Sequence, residues 1–258
     1  MSNTLIGDYV SDEQCPICRH RVYSYLAVPS LLTCTDCALT YARERKTTVR
    51  YDEQYVAERY DRYPTTDAMS ALRLRVLEHN LYMHETLDAG HRFGVLRGPL
   101  LDVGYGNGSF IRRCLVNRWD AYGCDVNETE YEGVRRIYST AVNHGPRWRA
   151  VTFFDSLEHF ETFDWIRQVA DNADWILVSA PLPPPSFPRD LAWKHYRPGE
   201  HHYYFHQPWT FERIFPGARV AYVGTPEDSI RGKLMGGSTN IQTVLLRCPP
   251  QGERADSE

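Results

Sequence analysis

Glycines at alternating positions follow a short, mostly apolar run and give the first sign of a ligand site. Residues 100–103 read Leu-Leu-Asp-Val, and glycine follows at positions 104, 106 and 108. Glycine lets the backbone turn sharply and approach a ligand that a β-carbon would hold away. Residues 109–115 suit a helix, so the pattern predicts a ligand-binding turn between a strand and a helix. An ordinary tight turn is the alternative interpretation.

An acidic residue stands about twenty positions after the glycine turn, where nucleoside-binding α/β proteins place the acid that binds ribose hydroxyls. It is Asp125, near the end of residues 121–126. The dinucleotide fingerprint needs a glycine where this chain has Ser109. A carboxylate at Asp102 would also repel a pyrophosphate and could instead orient a cationic amino group. The spacing therefore favours a nucleoside ligand without phosphate, and a nicotinamide dehydrogenase is the weaker alternative.

Four of the seven cysteines form two close pairs, Cys15 with Cys18 and Cys34 with Cys37. Two such turns can close a tetrahedron of thiolates around one Zn²⁺ and leave no coordination position open for catalysis. The cysteines are therefore predicted to hold a structural zinc ion, whose binding stabilises a module too small to fold on apolar burial alone. Four unrelated buried cysteines are the alternative.

A segment rich in histidine and aromatic residues, 193–206, follows the proline-rich residues 181–188. Proline excludes residues 181–188 from a helix or a central strand, so they are predicted to form a loop at the ligand-binding edge of the sheet. We hypothesise that His201 is a catalytic base, because imidazole titrates near neutral pH, and that Glu200 orients it. His159 is a third catalytic candidate, and a purely structural role is the alternative for each histidine.

The elements that must position these residues alternate between short apolar runs and helical stretches. Such alternation predicts βαβ units and a mainly parallel sheet covered on both faces. The expected fold class is α/β, a doubly wound Rossmann-like sheet with a small N-terminal zinc-ribbon module. The predicted strands are residues 100–103, 121–126, 151–154, 175–180, 219–224 and 243–247.

The chain is expected to divide into four segments. Residues 1–45 form the zinc-ribbon-like module, and 46–95 form a helical lead-in in which apolar residues recur at helical spacing after Thr65, Thr66 and Asp67. Residues 96–248 form the Rossmann-like domain, and the polar residues 249–258 form a disordered tail.

Composition limits the classes of function. With 258 residues, of which 42% are hydrophobic, the chain can bury one substantial core beside a small appendage. A formal net charge of -4 offers no bulk attraction to phosphate backbones. The chain has neither an apolar stretch of roughly 20 residues nor an export signal. We therefore expect a cytoplasmic protein that does not enter membranes, of unknown oligomeric state.

In these features the chain resembles the class I S-adenosylmethionine-dependent methyltransferases. Their first motif has the form Asp-x-Gly-x-Gly-x-Gly, and their second strand ends in a ribose-binding acid. Residues 151–160 are similar to their fourth-strand stretch, which carries an aspartate, an apolar pair and Glu-His. The resemblance implies methyl transfer and S-adenosylmethionine as cofactor. The cofactor-binding residues that it implies are Asp102, Gly104, Gly106, Asn107, Gly108, Asp125, Val126, Phe154, Asp155 and Ser156.

Two further stretches bear on the cofactor. Tyr51, Tyr55 and Tyr60 are similar to the tyrosine-rich lead-in that caps the cofactor in many of these enzymes. Residues 133–149, in contrast, are short and lack the acid that usually holds the adenine amine.

The histidine-rich segment is similar to part of the nucleotide-sugar methyltransferases that carry an N-terminal zinc module. Glu200 and His201 match their Glu-His pair, whereas Pro198 stands where they have tyrosine. Residues 236–238 resemble their Gly-Gly-Ser loop. The favoured function is methyl transfer to oxygen, nitrogen or carbon of a small molecule, a sugar or nucleotide sugar in particular. A nucleic-acid methyltransferase that uses the ribbon for binding, and a noncatalytic nucleotide-binding module, remain open.

Overall fold

The computed structural model describes residues 8–25, 28–58, 66–88, 97–142, 145–235 and 240–250. Tyr60, Thr65, the Gly-Gly-Ser loop and the tail from residue 251 lie outside these ranges. Within them, no helix is long and apolar enough to cross a bilayer.

Eleven strands and seven α-helices are found in the described residues. The strands are β1 (Asp8–Gln14), β2 (Arg21–Tyr25), β3 (Val28–Cys34), β4 (Leu39–Ala42), β5 (Pro99–Val103), β6 (Asp120–Cys124), β7 (Trp148–Phe154), β8 (Ala173–Pro181), β9 (Tyr203–Phe205), β10 (Arg219–Gly224) and β11 (Ile241–Arg247). The helices are α1 (Glu53–Val56), α2 (Thr66–Asp88), α3 (Ser109–Val116), α4 (Ser139–Val142), α5 (Asp164–Asp171), α6 (Trp209–Ile214) and α7 (Asp228–Met235).

The larger sheet has six strands in the order β10-β11-β8-β7-β5-β6. Strands β8, β7, β5 and β6 are parallel, and β11 runs antiparallel to both of its neighbours. Because βαβ connections place helices over both faces of such a sheet, β5, β7, β8 and β11 are buried along nearly their whole length. The prediction of a doubly wound, mainly parallel α/β sheet is confirmed.

Helices cover both faces of this sheet. On one face, Leu77 of α2 and Ile111 of α3 belong to the same apolar cluster as Leu100 of β5. On the other, Ile166 of α5 and Phe211 of α6 share a cluster with the opposite side of the sheet. With its two faces covered, the sheet leaves its strand ends as the place for a ligand.

Two predicted boundaries are wrong. Strand β6 ends at Cys124, because Asp125 turns the chain by accepting a hydrogen bond from the backbone N–H of Asn127. Pro181, predicted to lie in a loop, is the last residue of β8 and is paired with Ile241. Its missing N–H is tolerated there because it stands at the end of the ladder.

In the short stretch between β6 and β7, the described residues form α4 and a single bridge between Gly123 and Arg136.

The smaller sheet is antiparallel, and its order is β1-β2-β3-β4-β9. Its edge strand β9 comes from the histidine-rich segment, far along the chain from β1–β4. Leu39 pairs with Phe205, and Tyr41 pairs with Tyr203. The N-terminal sheet is therefore completed by a strand from the residues that were expected to contact the acceptor.

Candidate functional site

A cavity of about 590 Å³ opens at the carboxyl ends of β5, β6 and β7. Val103 and Gly104 from β5, Asp125 after β6, and Asp155 and Ser156 after β7 line it. Its volume lies within the range of small-molecule and cofactor sites. The three adjacent parallel strands thus deliver their last residues to one ligand-sized space.

The glycine turn forms one side of the cavity in a backbone conformation that side chains disfavour. Gly104 has a φ of +76°, and a β-carbon on it would lie 2.6 Å from Cβ of Ser156. Gly106 has a φ of +57° and also lines the cavity. Its N–H donates a 3.0 Å hydrogen bond to Oδ2 of Asp125. Only glycine fits at position 104, and the turn is joined directly to the acid after β6.

Asp125 faces the cavity with both carboxylate oxygens held by backbone amides. Oδ2 accepts from Gly106, and Oδ1 accepts a 2.8 Å hydrogen bond from Asn127. Burial raises the pKa of Asp125 above its ordinary value. Each oxygen retains a lone pair, so the carboxylate can still accept from ligand hydroxyls.

Six of the ten implied cofactor-binding residues line the cavity, and four do not. Asp102 lies behind the turn, 3% exposed, and accepts a 2.6 Å hydrogen bond from the hydroxyl of Thr152. Burial raises the pKa of Asp102 to about 7. The residues on the cavity wall are Gly104, Gly106, Asp125, Val126, Asp155 and Ser156.

The other three residues away from the wall serve neighbouring elements. Asn107 accepts a 3.2 Å hydrogen bond from the N–H of Ser109 and so caps α3. Gly108 is the N-cap residue of that helix, in the left-handed conformation and close against Val134. The ring of Phe154 packs on Phe110, with centroids 4.8 Å apart.

Asp155 connects the cavity to a buried group of charges. It has a φ of +51° and pairs with Arg73 of α2 and Arg231 of α7. Both arginines also pair with Glu227, which is 1% exposed. Burial alone would raise the pKa of Asp155, but the two guanidinium groups outweigh it and hold that pKa well below its usual range. The group is electrically balanced, so Asp155 is fixed as a carboxylate at the cavity.

Aromatic side chains form another wall. Tyr51 and Tyr55, noted from the sequence, both lie on it. Sequence reasoning missed Phe160 and Trp165, whose rings stack with centroids 6.0 Å apart and an interplanar angle of 12°. Their spacing in the sequence does not distinguish an aromatic residue at a cavity from one in a core.

His159 is the imidazole at the cavity, and His201 lies behind it. Nδ1 of His159 is 3.0 Å from the backbone oxygen of Glu200 and 2.9 Å from the hydroxyl of Tyr51. The ring of His201 packs edge-on against His159, with centroids 4.6 Å apart. Burial lowers the pKa of His159 to about 4 and that of His201 well below its usual value. Both rings are therefore neutral at pH 7.

The role expected for Glu200 as the orienter of His201 does not match its contacts. Its carboxylate accepts a 2.9 Å hydrogen bond from the hydroxyl of Tyr55 and a 3.1 Å hydrogen bond from Arg197. It is the backbone carbonyl of Glu200 that holds an imidazole, and that imidazole is His159. The Glu200 side chain instead fixes the loop before β9 to the aromatic wall.

Glu158, which the sequence presented only as part of the Glu-His match in residues 151–160, carries an unusual carboxyl group. It is 2% exposed, and neither oxygen has a hydrogen-bond partner among the described residues. Burial, with a contribution from Asp155, raises its pKa to about 8. One ligand atom each from Glu158, His159 and His201 lie within 4.8 Å of one another.

The four paired cysteines lie together beside the smaller sheet. The sulfurs of Cys15 and Cys37 are 3.7 Å apart, and those of Cys18 and Cys34 are 3.4 Å apart. Zinc–sulfur bonds of about 2.3 Å in a tetrahedron place the sulfurs about 3.8 Å apart. Burial raises the pKa of Cys18 to about 12, so a cation is needed before all four ionise. The donor set and its spacing fit Zn²⁺.

Comparisons with known proteins give one family and a set of similar folds. The family model described as a methyltransferase domain matches residues 69–218. Similar solved structures include magnesium protoporphyrin IX methyltransferase from Synechocystis PCC 6803, with 17% identity, a TM-score of 0.43 and coverage of 69% of this chain and 86% of that one. A SAM-dependent methyltransferase from Archaeoglobus fulgidus has 14% identity, a TM-score of 0.43 and coverages of 66% and 94%. The plantazolicin methyltransferase BpumL has 14% identity, a TM-score of 0.46 and coverages of 76% and 91%. No curated protein sequence matches the chain.

Proposed function

We propose, from the premise that this chain belongs to the methyltransferase domain family, that it is an S-adenosylmethionine-dependent enzyme that methylates a small molecule. The observation that carries the proposal is the link between the glycine turn and Asp125 at the mouth of β5 and β6. The turn lets a ligand approach the backbone closely, beside a carboxylate that could accept from ribose hydroxyls, and this combination suits a nucleoside without phosphate.

The residues of the cavity suit such a cofactor. Gly104 and Gly106 leave their side of the cavity free of side chains, where the methionine part would lie. Asp125 would accept from the ribose hydroxyls, and Val126 next to it would contact the base. S-adenosylmethionine supplies a methyl group on a sulfonium, so the task of the protein is to align the acceptor with that methyl.

The acceptor side is assigned to the aromatic wall and the imidazole cluster. Tyr51, Tyr55 and the stacked Phe160 and Trp165 offer flat apolar surfaces. His159 adds a polar group beside them. Aromatic faces with a few polar groups suit a sugar ring, so a sugar or nucleotide sugar is the proposed acceptor. Activation of its nucleophile is assigned to His159 and His201.

The cysteine cluster is proposed to hold a structural Zn²⁺. All four coordination positions of the ion would be filled by Cys15, Cys18, Cys34 and Cys37. No position would then be open for catalysis. Its proposed task is to keep the smaller sheet folded where β4 pairs with β9.

Calorimetric titration with S-adenosylmethionine and S-adenosylhomocysteine tests the proposal first, because it needs no acceptor. We expect saturable binding of both. Transfer of a radiolabelled methyl group to a panel of nucleotide sugars, with RNA and DNA as separate acceptors, then tests the acceptor class. If neither S-adenosylmethionine nor S-adenosylhomocysteine binds, the proposed methyltransferase function is refuted. If only RNA or DNA is labelled, the proposal of a sugar or nucleotide-sugar acceptor is refuted.

A further inference from the structure

We propose that Glu158, His159 and His201 form a second metal site, which binds a divalent first-row transition-metal ion and, through it, a hydroxyl oxygen of the acceptor. The inference rests on the proposed function, since it assigns the acceptor side of the same cavity. It is separate from the cysteine cluster, which has different ligands and lies beside the other sheet.

The three side chains supply one carboxylate and two imidazoles at close range. Their ligand atoms lie within 4.8 Å of one another. His159 lines the cavity, whereas Glu158 and His201 lie behind it at 2% and 3% exposure. Three protein ligands on one side of an ion leave its cavity side open for an oxygen of the substrate.

The hydrogen bonds of His159 prepare it as a ligand. Nδ1 lies 3.0 Å from the carbonyl oxygen of Glu200, which can only accept, and 2.9 Å from the hydroxyl of Tyr51, which can accept as well as donate. The tautomer that satisfies the carbonyl therefore carries the ring proton on Nδ1. Nε2 then keeps a free lone pair. Histidines that bind metals characteristically donate their other ring nitrogen to a carbonyl or carboxylate in this manner.

Glu158 provides the independent indication that a cation belongs here. A buried carboxyl group without a hydrogen-bond partner is costly in either protonation state, and proteins compensate such groups with a paired charge, hydrogen bonds or a metal. Both of its oxygens are without a hydrogen-bond partner in the described part of the chain. The two cations that act on Glu158 have other partners: Arg231 pairs with Asp155 and Glu227, and Arg197 pairs with Glu200. A cation between Glu158 and the two rings would satisfy the carboxylate.

The donor set restricts the ion and the acceptor. Two nitrogens with one oxygen suit Mn²⁺, Fe²⁺, Co²⁺ or Zn²⁺ better than Mg²⁺ or Ca²⁺, which prefer oxygen ligands throughout. An ion lowers the pKa of a hydroxyl bound to it. The hydroxyl proton would pass to solvent, the oxygen would bond to the methyl carbon, and the S–CH₃ electron pair would return to sulfur. The acceptor is accordingly a hydroxyl compound methylated on oxygen.

Titration of the zinc-loaded chain with Mn²⁺, followed by electron paramagnetic resonance of the free ion, tests the site. Thiolate sites disfavour Mn²⁺, so the cysteine cluster does not compete. We expect about one Mn²⁺ per chain, and affinity at least about 10-fold lower in Glu158→Gln and in His201→Asn. His79→Gln is the matched control, because His79 is exposed on α2, and it should bind as the original chain does.

Circular dichroism and cofactor calorimetry on each variant separate lost ligation from lost folding. If the original chain takes up no Mn²⁺, or if both variants bind Mn²⁺ as tightly as it does, the metal site is refuted. In that case retained cofactor binding would leave the methyltransferase proposal standing. Absence of cofactor binding with normal Mn²⁺ uptake would instead refute the methyltransferase proposal alone.

Discussion

The backbone N–H of Ala42, at the end of β4, donates a 2.8 Å hydrogen bond to the carbonyl of His202, the residue after His201. The same contact region includes a 2.7 Å hydrogen bond from the Thr210 hydroxyl to the carbonyl of Cys37. The cysteine cluster and the imidazole cluster are therefore joined through β4 and β9. Whatever orders the first of these clusters also orders the backbone that carries the second.

Removal of the zinc ion proposed for the cysteine cluster should loosen β9. Chelation of the ion, or Cys37→Ser, should raise the exchange rates of the Tyr203–Phe205 amides by at least about 10-fold, because β4 would no longer hold them. Amides of β5 and β7 are the internal control and should keep their protection. Hydrogen exchange read by mass spectrometry checks this. Unchanged protection of β9 in a demonstrably zinc-free chain would contradict it.

Replacement of Asp125 by asparagine should weaken cofactor binding by roughly 10- to 100-fold. The change removes the charge from hydrogen bonds to hydroxyls, which are worth about 1.5–3 kcal/mol when one partner is charged. Asp120→Asn is the matched control, since Asp120 begins the strand that Asp125 follows but pairs with Arg135 at the surface. Calorimetry measures both. Equal cofactor affinities in the two variants would show that Asp125 does not bind the cofactor.

Gly104→Ala should destabilise the chain more than Gly133→Ala. Both glycines have similar positive φ values, +76° and +72°, so both substitutions carry a left-handed strain of about 1–2 kcal/mol. Only at Gly104 does the new methyl meet a neighbour, Ser156, at 2.6 Å, whereas Gly133 has its nearest neighbour at 3.7 Å. The clash should add about 1–3 kcal/mol in urea unfolding. Equal losses in the free energy of unfolding for the two variants would show that Ser156 moves away from the new methyl group without cost.

The stability of the cofactor-free chain should fall as the pH rises from about 4 to 7, partly through Asp102. Burial raises the folded-state pKa of Asp102 to about 7 from its ordinary value of 3.8. Between these two pKa values the folded chain holds a proton that the unfolded chain releases. The stabilisation that this proton gives to the folded chain is complete below pH 4 and is lost near pH 7. Three pKa units correspond to about 4 kcal/mol.

Asp102→Asn keeps an acceptor for Thr152 but cannot titrate. Urea unfolding between pH 4.5 and 8 should show a shallower decline for this variant than for the original chain. Parallel profiles for the two proteins would mean that Asp102 does not titrate in this window.

The six strands of the large sheet were predictable because each is a short apolar run with a turn signal after it. Strand β9 was not, because Tyr203–Phe205 are three aromatic residues within an aromatic segment. Its pairing with β4 depends on contacts far apart in the chain. Propensity carries no information on such pairings.

Within the site, the sequence motif identified the turn but not the task of each residue. Gly106 and Asp125 reach the cavity. Asn107 and Gly108, equally part of the motif, instead serve the N-terminus of α3. The sequence could not identify Glu158 as a candidate metal ligand. That role depends on the burial of its carboxyl group without a hydrogen-bond donor, which is a property of packing. Phe160 and Trp165 were missed for the same reason.

The pairing of Leu39 with Phe205 also bears on the order in which the molecule is assembled. During synthesis, β1–β4 emerge first but have an open edge until residues 203–205 leave the ribosome. Strands that wait for a distant partner are slow to pair and prone to misassembly. Early zinc capture would keep the nascent N-terminal sheet compact during this delay. The half of the cavity proposed to contact the acceptor would then mature last, after the large sheet that carries the proposed cofactor site has begun to form.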